Sequence, residues 1–187
     1  MYKILLEKEY FHFCSAHFVV FSESEREELH GHNYYVTAEF VGTKLIDGKL
    51  IDISIIKPII RQFCDELDHK LIIPKFNKHL TLNILDRNIQ ITHAESIFSF
   101  PLKETLLLPI ENSTMEHLAE YLSGKLKPEL AKESHFITEF TITIHPLPIV
   151  NAGPDQSICI GDETSVSATG TPATYVWDPA GIVDGTP

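Results

Sequence analysis

The chain has 187 residues, 43% of them hydrophobic and 22% charged, and a formal net charge of −11. That length suits one sizeable domain and part of a second, and the acidic balance excludes a broad nucleic-acid-binding surface. Three cysteines without a CxxC pair (Cys14, Cys64, Cys159) exclude a disulfide framework and suit a cytoplasmic compartment; charges break the first apolar run too early for a signal peptide, and no stretch is long enough to span a membrane.

Tyr2 to Phe21 is rich in aromatic and β-branched residues and reads as a long strand, with Phe11, Phe13, Ser15 and His17 on one face. Ser22 to Glu28 is a polar, acidic connection that composition reads as a solvated loop. Leu29-His30-Gly31-His32-Asn33-Tyr34 leads into a second strand, Tyr34 to Val41, and a period of two sets His30 and His32 on one face. If the two strands pair, His17 joins them in a three-imidazole set that leaves a fourth zinc position open. His-x-His alone also occurs in ordinary hairpins.

Ser54 is the expected cap of a helix whose apolar residues Ile56, Ile59, Ile60, Phe63 and Leu67 fall at helical spacing, with Pro58 in its first turn. Leu67-Asp68-His69 follows, then Leu71 to Pro74. Leu80 to Ile91 alternates and turns at Asp86-Arg87-Asn88, a hairpin, and Glu95 to Pro101 adds a short strand. Ser113 and Glu116 stand as a capping box for a second helix with the stripe Met115, Leu118, Ala119, Leu122 and Leu126, which Pro128 is expected to end or bend. Phe136 to His145 reads as a closing strand.

Together these motifs resemble the 6-pyruvoyl-tetrahydropterin synthase and 6-carboxy-tetrahydropterin synthase family. The matching pieces are Phe-His-Phe-Cys-Ser-Ala-His (11–17), Leu-His-Gly-His-Asn-Tyr (29–34), Ile-Asp (51–52) before a helix with Lys57, Leu-Asp-His (67–69) and Asn-Ser-Thr-Met-Glu (112–116), in the family's order. The resemblance implies an α+β tunnelling fold: an antiparallel four-stranded sheet with two helices on one face and an inserted hairpin. It implies a homo-oligomer, trimer or hexamer, acting in pterin biosynthesis (queuosine or folate) on 7,8-dihydroneopterin triphosphate. It further implies Zn2+ held by His17, His30 and His32, with His69 moving protons and Asp68 orienting it.

Two departures stand out. The family's usual Cys, four residues before the His-Gly-His motif, is Arg26 here. Glu27 matches a variant subgroup in which Glu replaces that Cys as base and the side chain is cleaved to 6-hydroxymethyl-7,8-dihydropterin. The last strand, Ile142-Thr143-Ile144-His145-Pro146, lacks the Glu with which the family clamps the guanidine-like edge of the ring. The alternative expectation is therefore a catalytically impaired zinc- or pterin-binding member.

The expected domains are 1–146, pterin synthase-like, and 147–187, a truncated tail. Residues 147–187 carry five acidic residues and no Lys or Arg. Asn151 to Cys159 and Tyr175-Val176-Trp177-Asp178-Pro179 resemble the opening of an Ig-like or PKD-like repeat. A junction near residues 145–150, followed by a poorly packed tail, is expected.

Overall fold

A computed structural model describes residues 1–133, 137–146, 150–151 and 169–170. The chain divides into two compact units, Met1–Pro146 and Leu147–Pro187. In the second, β9 (Val150–Asn151) pairs antiparallel with β10 (Thr169–Gly170). The rest of the expected Ig-like or PKD-like tail lies outside the described residues.

The first unit is α+β. β1 (Tyr2–His17) and β2 (His30–Gly42) run antiparallel, and β8 (Ile137–Pro146) pairs antiparallel with β2. Alternation buries Phe11 and Phe13 of β1 with Tyr34, Val36, Ala38 and Phe40 of β2 on one face. Two helices cover that face. α1 (Ile53–Leu67) buries Ile56, Ile60, Phe63, Cys64 and Leu67; α2 (Met115–Glu133) buries Leu118, Leu122, Leu126 and Leu130, a strict four-residue repeat. These stripes, with Ile142 and Ile144 of β8, form one core.

The sheet has five strands and is mixed, in place of the expected four antiparallel strands. Its order is β7-β3-β1-β2-β8, where β3 (Lys70–Pro74) lies parallel to β1 and β7 (Thr105–Leu108) parallel to β3. The added strands are four or five residues long, and their partners are distant in the chain, so local alternation does not reveal them. The inserted hairpin is part of a separate three-stranded sheet, β4 (Thr81–Leu85), β5 (Asn88–His93) and β6 (Ser96–Pro101). Its buried Ile89 and Ile91 join Phe18, Val20, Leu71 and Ile73 in a second core.

Both helix starts differ from expectation. Asp52 caps α1, its carboxylate accepting from the Ser54 N–H at 2.9 Å and the Ser54 hydroxyl at 2.6 Å. At α2 the hydroxyl of Thr114, not Ser113, accepts the His117 N–H; Ser113 is fully buried and donates to the Phe18 carbonyl. α2 also runs on through Pro128 to Glu133.

Candidate active site

The β1–β2 register sets His17 opposite His30 and Ser15 opposite His32. All three imidazoles thus lie on the helix-facing side, at the end where β1 stops and β2 begins. Their ring centroids are 4.7 Å (His17–His30), 5.5 Å (His17–His32) and 4.7 Å (His30–His32) apart. One nitrogen from each lies within 4.8 Å of the others.

The surroundings fix the tautomers. The Ser113 carbonyl can only accept, so His17 Nδ1 carries the proton it donates there at 2.8 Å. His30 Nδ1 donates likewise to the Glu28 carbonyl at 2.7 Å. Each ring is left with an Nε2 lone pair, and carbonyl partners of this kind orient imidazole ligands in metal sites. Burial holds the His17 imidazole below its usual basicity, aided by His30 and His32 against the opposing pull of the Ser113 bond. Three converging imidazole nitrogens at the edge of a cavity are a donor set that fits a catalytic zinc ion.

The Ser22–Glu28 segment has no buried residue, as composition expects, but it is ordered. Its flanks form a small hairpin: Val20 bridges Arg26, the Glu27 N–H donates to the Val19 carbonyl at 2.8 Å, and the Phe21 N–H donates to the Glu25 carbonyl at 2.9 Å. Glu27 Oε2 accepts from the Val19 N–H at 3.1 Å and stands 3.9 Å from His30 Nε2. Arg26, in the position of the family's Cys, turns away from the histidines and stacks on Phe98. Asn112 brackets Val20, accepting its N–H at 3.1 Å and donating to its carbonyl at 2.8 Å.

Glu27 and the three histidines line a cavity of about 210 Å³, closed on other sides by Tyr34, Thr114, Glu116 and Pro146. A larger cleft of about 630 Å³ lies by Arg87 and Lys103, lined by none of the three histidines.

Asp68 and His69 do not line the histidine cavity of their own chain. Asp68 ends α1 and accepts the Cys14 N–H at 2.7 Å through Oδ1; its Oδ2 accepts from His69 Nδ1 at 2.8 Å. The His69 N–H returns to the Cys14 carbonyl at 2.7 Å, and His69 adopts φ 56°. One residue of β1 therefore clamps the pair in a left-handed turn, with the His69 side chain 84% exposed.

Sequence reasoning missed Tyr34, Asn112 and Ser113 as parts of the site. Tyr34 continues the period of two from His30 and His32, which was the available signal. The polar partners of Asn112 and Ser113 lie 92 to 96 positions away in the chain, beyond any local pattern.

Residues 6–145 match the sequence profile of the family described as 6-pyruvoyl tetrahydropterin synthase. A Methanocaldococcus jannaschii protein, provisionally named a 6-carboxy-5,6,7,8-tetrahydropterin synthase, is 38% identical over 119 residues, 63% of this chain and 72% of that one. A Pyrococcus horikoshii protein with the same provisional name is 29% identical, covering 77% of this chain and 92% of its own. Among solved structures, 6-pyruvoyl tetrahydropterin synthase from Plasmodium falciparum superposes with TM-score 0.66 at 30% identity, over 78% of this chain and 98% of that one. Two solved forms of the Plasmodium vivax enzyme, each with TM-score 0.63, carry alanine or cysteine in place of a glutamate described as a catalytic residue.

Proposed function

Because this chain belongs to the 6-pyruvoyl tetrahydropterin synthase family, we propose that it is a zinc-dependent lyase of 7,8-dihydroneopterin triphosphate, with Glu27 as its base and 6-hydroxymethyl-7,8-dihydropterin as its product. The observation that carries this reading is the carboxylate of Glu27, 3.9 Å from His30 Nε2 at the rim of three converging imidazoles. The catalytic glutamate of the Plasmodium vivax enzyme supports a carboxylate in this role.

His17, His30 and His32 would hold the ion, which supplies Lewis acidity to the side-chain hydroxyls of a bound substrate. The chain's own groups do the rest. Glu27 takes the proton of the outer side-chain hydroxyl. The bond between the two hydroxyl-bearing carbons then breaks, its electron pair passing into the dihydropterin ring, and the carbon left on the ring gains a proton from His69. The proton comes from Nε2–H of the imidazolium form of His69, while Asp68 holds Nδ1–H and balances the ring's charge. Glu116 is the cavity's second carboxylate and takes the guanidine-like edge of the ring, where Pro146 of β8 offers none.

The exposed Asp68–His69 pair lies outside its own chain's cavity, and among the described residues β7 and β8 are the end strands of the sheet, with one backbone edge each unpaired. Both observations support a homo-oligomer, trimer or hexamer, in which a second copy supplies the pair. Among the described residues no helix is long and apolar enough to cross a membrane. The provisional name of the 38% identical relative favours a second reading, with 6-carboxy-tetrahydropterin as product.

Incubation of the zinc-loaded protein with 7,8-dihydroneopterin triphosphate, with product identification, tests the function. The 6-hydroxymethyl product, lost in Glu27→Gln, is the expected result. A 6-carboxy product selects the second reading, and zinc bound without turnover selects an impaired, binding-only member.

A further inference from the structure

We propose that the β4–β5–β6 sheet braces the segment carrying Glu27, and that Arg26 is the positioning residue through which the brace acts; this rests on the reading of Glu27 as base. The backbone bonds that shape residues 19–27 are local to that hairpin. Val20 packs with Ile89 and Ile91 of the three-stranded sheet, and two further side-chain contacts tie the far arm of the hairpin to it. The Arg26 guanidinium stands 4.5 Å from the ring centroid of Phe98 in β6 and 5.5 Å from that of Phe18. The buried His93 of β5 donates through Nε2 to the Ser22 carbonyl at 2.9 Å.

Arg26 and Glu27 are neighbours in an extended segment, so their side chains leave on opposite faces. Arg26 faces the brace and Glu27 faces the cavity, and fixing the first fixes the second. The same guanidinium donates from Nη1 to the Glu27 carbonyl at 2.6 Å, while the Glu27 N–H is held by Val19. Both peptide groups of Glu27 are therefore tied, and its carboxylate is aimed before substrate arrives. Among the described residues Arg26 makes no ion pair within 4.0 Å, so the neighbouring carboxylate is not neutralised by the cation that positions it. A planar guanidinium suits this duty because it stacks on an aromatic face and donates at its edge together; an ammonium gives a point charge.

The test uses the full-length, zinc-loaded protein with 7,8-dihydroneopterin triphosphate and compares Arg26→Met, Arg26→Lys, Phe98→Leu, the Arg26→Met/Phe98→Leu double variant and Glu27→Gln. Zinc content and amide exchange over residues 19–27 are measured beside kcat and KM. Arg26→Met is expected to lower kcat by roughly 10- to 100-fold, with KM and zinc content within about twofold of the parent and faster exchange in that segment. Phe98→Leu should act in the same direction, the double variant should fall no further than Arg26→Met, and Arg26→Lys should recover part of the loss. If Arg26→Met does not fold, Phe98→Leu decides. Parental kcat in both single variants, or a loss accounted for by missing zinc or by KM, overturns the proposal. Should Glu27→Gln be inactive while the brace variants keep parental kcat, the brace alone is wrong. Parental kcat in Glu27→Gln removes the base reading and the brace with it.

Discussion

The Tyr34 hydroxyl lies 2.9 Å from His17 Nε2, the lone pair that a metal ion at the three histidines needs. His17 Nδ1 is spent on Ser113, so Nε2 is the acceptor and the phenol the donor. The phenol is well placed for this: it is buried, stacked on Phe13 at 4.9 Å, and kept protonated by burial, with Glu27 adding to the effect.

Tyr34→Phe removes a competitor for that lone pair. A neutral hydrogen bond is worth about 1 kcal/mol, so the variant should bind zinc roughly fivefold more tightly. Competition against a chelator checks this. Weaker binding would mean that the hydroxyl supports the ligand set.

Asp68→Asn separates the two bonds of that carboxylate. Asn can still accept the Cys14 N–H through Oδ1, but its amide nitrogen cannot accept from His69 Nδ1. If His69 moves the proton, kcat should fall by roughly 10²- to 10⁴-fold with the fold intact. Burial raises the Asp68 carboxyl, yet the Cys14 N–H and His69 outweigh it and hold it below the usual 3.8. The sign of the linkage follows: its contribution to stability is present above pH 3.8 and is lost as pH falls through the lower folded value, so Asp68→Asn should flatten the acid limb of a urea-stability profile. An unchanged kcat would remove His69 from the mechanism.

At high pH two buried acids act together. Burial pushes the Cys64 thiol from 9.0 and the Tyr34 phenol from 10.0 up to about 12. Between the unfolded values and about 12 the folded chain binds more protons than the unfolded one, so stability falls as pH rises, by about 1.4 kcal/mol per pH unit for each group fully in its window. Urea midpoints should drop steeply from pH 9 to pH 11. Cys64→Val should lessen that slope, and an unchanged slope would contradict the buried, protonated thiol.

Glu116→Gln tests the ring anchor. A charge-assisted pair contributes about 1.5–3 kcal/mol, so KM should rise roughly 10- to 100-fold with a smaller change in kcat. A parental KM would leave the ring without this anchor.

The convergence of His17, His30 and His32 was legible because it needed only a period of two and one strand pairing. The place of Glu27 beside His30 was legible from its spacing, but the order of its segment was not. Composition reads Ser22–Glu28 as solvated, and most of it is exposed, but composition does not show that Phe98 and His93, more than 70 positions from their partners Arg26 and Ser22, hold it. Distance in sequence also hid β3 and β7: a parallel pairing such as Ile72 with Leu106 leaves no local mark. The cap on α1 was displaced by two residues because Asp52 and Ser54 are both good caps, and the longer reach of the Asp52 carboxylate takes the Ser54 N–H and hydroxyl together. The Glu missing from β8 was visible as a gap, but Glu116, a carboxylate that lines the cavity beside Glu27, comes from the first turn of α2, another element altogether.

Zinc content per chain after exhaustive dialysis, measured by elemental analysis on the parent protein and on His17→Ala, tests the central claim most directly. The account expects close to one zinc per parental chain and almost none in the folded variant. Equal zinc in both proteins, or none in the parent even after incubation with excess ion, would contradict it.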